Sequence, residues 1–144
     1  MELRRDIVRM LRRYRPARVI IQSPERSWVP ALTIGRYHPD HMAAGQAALA
    51  AIYPASQNPW DFPELLSEDL LPHRVREIFV MGAPHINHFV DISDTLEIKL
   101  EALAAHASQH QKFEETAKRV RGWCELLGTQ HGVKFAEVFN RTEN

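Results

Sequence analysis

At 144 residues the chain is near the commonest domain size, which favours one domain with its own core over 1–144. Eighteen basic and eighteen acidic side chains cancel, so the overall field selects neither nucleic acid nor an anionic membrane surface as partner. A single cysteine, Cys124, excludes an internal disulfide framework and reads as a small buried hydrophobe on a helix rather than a nucleophile.

The first sixteen residues mix arginines with apolar side chains and hold no continuous apolar stretch of the secretory kind. No segment reaches the roughly 18 apolar residues of a membrane span. A reducing, cytoplasmic setting is therefore the expectation. Leu3, Ile7, Val8, Met10, Leu11 and Tyr14 recur at helical spacing, which predicts an amphipathic helix with arginines on its other face, ended by Pro16. The β-branched run Ala17-Arg-Val-Ile-Ile-Gln22 then predicts a buried strand.

Residues 23–37 carry Pro24, Trp28, Pro30 and Gly35 and read as a loop at a strand's C-terminal end, where open α/β sheets bind ligands. From Pro39 to Tyr53 a helix is expected, with Ala43, Ala44, Gly45, Ala47, Ala48, Ala50 and Ala51 giving a face small enough for close approach to a sheet. Pro54 to Pro72 reads as a surface excursion with a helical turn near Glu64 to Leu70. Strands follow at Arg76 to Gly82 and His88 to Ile92.

A helix capped by Ser93 or Asp94 comes next, with Asp94 and Glu97 at capping-box spacing, and then a longer helix from about Gln109 to Leu127 ending at Gly128. Val133 to Phe139 fits neither a strand nor a helix period cleanly. Alternating strands and helices predict an α/β layered fold with a mainly parallel sheet, and two to four strands are few for a sheet buried on both faces.

Eight histidines are many for this length, and four of them form two HxxH arrangements, His38-Pro-Asp-His41 and His85-Ile-Asn-His88. Imidazole is a common zinc ligand, and two of them one turn apart can face one ion. The first pair straddles a helix start, where the N-terminus favours negative charge, and Asp40 can orient a ring. The same spacing also fits a plain reading, in which His38 and Asp40 cap the helix. His85 and His88 invite a four-histidine site with the first pair, although structural zinc usually recruits cysteine. His106 and His110 form a further pair that a solvated helix face explains as well.

The order of these pieces resembles the LmbE-like (PIG-L) family of zinc-dependent de-N-acetylases. The likeness runs through Glu2-Leu-Arg-Arg-Asp-Ile-Val-Arg, His38-Pro-Asp-His-Met-Ala-Ala-Gly45, Phe62-Pro-Glu-Leu-Leu, Pro72-His-Arg-Val-Arg-Glu77, Asn87-His-Phe-Val-Asp-Ile92, Ala105-His-Ala-Ser-Gln109 and Phe135-Ala-Glu-Val-Phe139, and so covers nearly the whole chain.

That resemblance implies a three-layer Rossmann-like fold, incomplete at the N-terminus, and a hydrolase that removes an acetyl group from an N-acetylated amino sugar or its conjugate. It implies His41 as a Zn2+ ligand, His38 as the acid that serves the oxyanion or the leaving amine, and Asp40 as the residue orienting His38. Tyr37, His88 and Asp91 would shape the site. The family's His-Pro-Asp-Asp-Glu motif, which supplies two ligands and the general base, is absent, and the only His-Pro-Asp begins at His38. The expectation is a fragment inactive alone, with a sheet surface open to self-association; the alternative is a non-catalytic scaffold or binding domain derived from that family.

Overall fold

The computed structural model describes residues 2–26, 38–109 and 112–144. Close contacts group them into two compact units, one of residues 1–87 with 139–144 and one of residues 88–138. Helix α1 (Glu2–Tyr14) opens the first unit. Its Val8 and Leu11 are buried, and the chain leaves the helix through Arg15, whose φ of 49° lies in the left-handed region just before Pro16. Strand β1 (Arg18–Gln22) follows and lies parallel to β2 (Glu77–Met81), with Ile20 opposite Phe79.

Helix α2 (Pro39–Ala50) runs on into a π-type turn at Ala51–Ala55, and a 3-10 turn occupies Pro63–Glu68. Val8, Leu11, Ile21, Ala48, Ile52, Leu65, Ile78 and Val80 make one core between the helices and one face of β1 and β2.

Arg12 corrects the expectation that the arginines of α1 all face water. Its side chain is 2% exposed. Nη2 donates to the carbonyls of Ala55 (3.0 Å), Asn58 (2.8 Å) and Asp61 (3.1 Å), and Nε donates to that of Ser56 (3.3 Å). An excursion whose carbonyls cannot reach one another is thus satisfied by a single planar donor. Removal from water pulls the Arg12 pKa down, against the opposing fields of Asp61 and Glu64.

The second unit holds β3 (His88–Asp91), α3 (Leu96–Ala104), α4 (Phe113–His131) and the start of β4 (Ala136–Glu143). Its core is Ile92, Leu96, Leu100, Cys124 and Phe135. Burial pushes the Cys124 thiol pKa up, as expected for a packing residue.

The strand order is β1-β2-β4-β3, with β2 antiparallel to β4. The α/β class stands, but the sheet is mixed rather than mainly parallel, because the ambiguous tail becomes β4 and enters against the direction of β2. Two helix boundaries also differ. Helix α3 is entered at Thr95 without a side-chain cap, because Ser93 Oγ instead donates to Asp91 and accepts from Phe135 N. Helix α4 continues through Gly128 to Gly132, where φ is 73°. At Gly128 a Cβ would stand 2.6 Å from Lys134 O, so that glycine serves packing and not termination.

Glu77 ties three strands together. Its carboxylate accepts from Arg18 on β1 (Nε, 2.8 Å) and from Arg141 on β4 (Nε, 2.9 Å). These bonds, led by Arg18, hold its pKa below the ordinary carboxylate value. A depressed carboxylate stabilises the fold above its unfolded pKa, and that contribution is lost as pH falls through the lower folded value. Glu77→Gln is therefore expected to lower the denaturant midpoint at pH 7, and by progressively less as pH falls below the unfolded carboxylate value, as urea titrations across that range will show.

Candidate functional site

The exposed first turn of α2 is where the sequence candidates meet. His38 has extended backbone (φ −62°, ψ 131°), and Pro39 follows at the first helical position with a φ already suited to it. The His38 carbonyl accepts from His41 N (3.1 Å) and Met42 N (3.3 Å), while its Nδ1 accepts from Asp40 N (3.2 Å). The imidazole is thus the N-cap, doing what serine or aspartate usually does.

The Asp40 carboxylate stands 3.6 Å from the same Nδ1, beyond hydrogen-bond length. The ring centroids of His38 and His41 are 5.6 Å apart, and both side chains face solvent. The plain cap reading of His38 is realised, and it leaves Nε2 free of the cap. Because Nδ1 accepts, the neutral ring carries its proton on Nε2.

The turn is held in place by Gly45. A Cβ there would lie 2.5 Å from Gln22 O, 2.9 Å from Pro24 N and 3.1 Å from Ser23 C. All three are backbone atoms at the end of β1, so the small face foreseen in the sequence brings the helix onto the strand's C-terminal end. Arg26, which the sequence reading passed over, donates from Nε to Met42 Sδ (3.0 Å) and sets a cation beside this turn. A lone arginine in a loop carried no signal that it would return to the helix.

The other candidates are placed differently. Tyr37 and His110 lie outside the described residues. His88 and Asp91 belong to the second unit, and Asp91 Oδ1 accepts from Ser93 N (2.9 Å) and Ser93 Oγ (2.5 Å), which hold its pKa down. His85 is exposed, with its carbonyl bonded to Asn140 Nδ2 (3.0 Å), and His106 is exposed just after α3. Among the described residues no three His, Cys, Asp or Glu side chains converge as a metal site would require, so the four-histidine arrangement does not form there. No described helix is long and apolar enough to cross a membrane.

No family model matches the chain. It is, however, 34% identical over 138 residues to the diacetylchitobiose deacetylase of Thermococcus kodakarensis, across 94% of this chain and 49% of that one. The structure superposes with a TM-score of 0.77 and 29% identity on the N,N'-diacetylchitobiose deacetylase of Pyrococcus horikoshii, solved with an inhibitor. The chain belongs to the LmbE-like (PIG-L) family.

This LmbE-like chain is covered to 98% in the Pyrococcus superposition, against 51% of that protein. A conserved protein of Thermus thermophilus shares the fold at a TM-score of 0.72 and 24% identity, with 96% of this chain and 57% of that one aligned. The chain thus spans about half the length of the relatives it matches.

Because the contacts at Gly45 are with backbone, Gly45→Ala must push the first turn of α2 away from β1. It is expected to cost about 1–3 kcal/mol, as overpacking does, and to move the His38 and His41 ring signals in a proton–carbon NMR spectrum. An alanine on the exposed side of the same helix, Gln46→Ala, should move neither.

Proposed function

We propose that this chain supplies one half of a metal-dependent de-N-acetylase that cleaves the acetamide of an N-acetylated amino sugar or its conjugate. The observation that carries the proposal is the exposed His38/His41 pair on the first turn of a helix at the C-terminal end of a parallel strand, in a chain of a deacetylase family. The family is generally metal-dependent. Two imidazoles on one turn fall short of the three protein ligands that a zinc centre needs, so the described residues do not fit a resident ion by themselves. His41 is assigned here as one ligand, and the others come from outside the described residues.

His38 has two states open to it. As the neutral ring, with Nδ1 capping Asp40 N, it presents Nε2–H as a donor to the oxygen that gains charge when water adds to the acetyl carbonyl. To act as an acid toward the departing amine it must first be doubly protonated, and Nδ1–H can then no longer accept from Asp40 N. The carboxylate of Asp40, 3.6 Å away, becomes the partner of that second state. Asp40 is therefore a positioning residue whose backbone and side chain serve alternate states of one imidazole.

The test joins this chain, through a flexible linker, to the half of the Thermococcus relative that lies outside the shared stretch. Bound zinc and acetate release from diacetylchitobiose are then measured. His41→Ala is expected to lose both. His38→Gln is expected to keep the zinc and to turn over about 10²–10⁴-fold more slowly, the usual weight of a general acid. A folded fusion that takes up no zinc, or one that keeps it after His41→Ala, rejects the assignment and favours a scaffold without catalysis.

A further inference from the structure

Arg26 stands apart from the other described arginines. Most of those pair with carboxylates, as Arg18, Arg121 and Arg141 do, or with backbone carbonyls, as Arg12 and Arg74 do. Arg13, Arg76 and Arg119 are exposed, and water serves their charge. Arg26 is half-buried, and among the described residues its guanidinium has one partner, the thioether of Met42, 3.0 Å from Nε. A thioether is a weak acceptor and carries no charge. Glu25, next in the chain, and Asp40, on the turn beside it, are exposed, and neither forms an ion pair with Arg26.

The residues that lead to this side chain are held in place. Ser23 N donates to Met81 O (3.0 Å) just past the end of β1, and Ser23 Oγ accepts from Glu25 N (3.1 Å). The close approach at Gly45 fixes the backbone of Ser23 and Pro24 against α2. Met42 follows His38 by four positions and His41 by one, so the guanidinium meets the helix on the turn that carries both imidazoles. With Nε taken up by sulfur, the Nη1–Nη2 edge is the fork left for a ligand. That planar edge matches two oxygens of a phosphate or a carboxylate.

We infer that Arg26 is a specificity-determining residue that reads an anionic group, phosphate or carboxylate, on the amino sugar presented to His38 and His41. The sugar rests on the de-N-acetylase reading, and the charge rests on Arg26. A neutral sugar offers the fork only hydroxyl acceptors, whose bonds to a cation are weaker than those of an ionised oxygen. A charge held away from the acetamide would also orient the reacting carbonyl against the histidine turn.

NMR of the Arg26 Nε–H in this chain tests the charge, with N-acetylglucosamine 6-phosphate, N-acetylmuramic acid and N-acetylglucosamine as probes. The signal is expected to respond to an anionic sugar at about 10- to 100-fold lower concentration than to the neutral one, the usual weight of a charged hydrogen bond. Whichever anionic sugar acts at the lower concentration assigns phosphate or carboxylate. Arg26→Gln is expected to remove the preference, read then from the His38 and His41 ring signals. Arg26→Lys should retain part of it, because an ammonium keeps the charge and loses the fork. Arg13→Gln, which removes an equal charge from an exposed site on α1, should leave the preference intact. Equal response to the three sugars, no response to either anionic one, or a preference that survives Arg26→Gln overturns the proposal. Catalysis is scored separately in the fusion. A preference at Arg26 in a fusion without zinc sinks the deacetylase reading and leaves an anionic-sugar site. A zinc-loaded fusion that releases acetate with equal kcat/KM from the neutral and both anionic sugars keeps that reading and sinks the role of Arg26.

Discussion

The contact between Gly45 and the backbone of Gln22, Ser23 and Pro24 is the constraint on which the candidate site depends. Helix α2 must approach the end of β1 closely enough that no side chain fits between them, and only then does its first turn lie at the strand's C-terminal end. Burial of Ala48 and Ala51 extends the same approach along the helix. Helix propensity alone would accept alanine at position 45 in preference to glycine by about 1 kcal/mol. The glycine is there for distance, and distance is what sets His38 and His41 on an exposed rim and not inside a helix packed flat against a sheet.

At that rim a single nitrogen has two candidate partners. Nδ1 of His38 cannot accept from the Asp40 amide and donate to the Asp40 carboxylate at once, and the structure holds the first arrangement at 3.2 Å with the carboxylate waiting at 3.6 Å. Of the two readings that the sequence left open, helix cap and oriented ring, the structure holds the cap, with the carboxylate that would serve the other within reach. An ordinary serine cap would satisfy the same backbone donor and have no second state to offer.

Much of the first unit was legible because its elements obey simple periods. The α1 spacing, the β-branched run of β1 and the small face of α2 each come from local chemistry; α1 and β1 appear within a residue or two of where the sequence puts them, while α2 starts at Pro39 as expected but ends at Ala50 and not at Tyr53, whose backbone is non-helical. Arg12 was not legible, since its burial depends on four carbonyls that lie 43 to 49 residues further along the chain. Nor was β4. Phe135 packs in one unit while Phe139 meets Phe79 in the other, so the segment serves two environments and shows no single period. Gly128 misled for a related reason, because a glycine needed for close approach looks the same in sequence as a glycine needed for positive φ, and the left-handed turn belongs to Gly132. At the site, the HxxH spacing was visible but the return of Arg26 to Met42 was not.

Among the described residues, the edge of the sheet and the histidine turn beside it are both open to solvent. A parallel strand needs cover on both faces and a neighbour on both edges. Among the described residues β1 has a neighbour on one edge and a core on one face, and Ile20 is exposed. A metal centre needs three protein groups, and the turn beside that strand's end offers two imidazoles. Leu3, Met10, Tyr14 and Ile20 keep exposed apolar side chains in the unit that carries His38 and His41. Exposed apolar side chains and the exposed histidine pair therefore lie within the same unit.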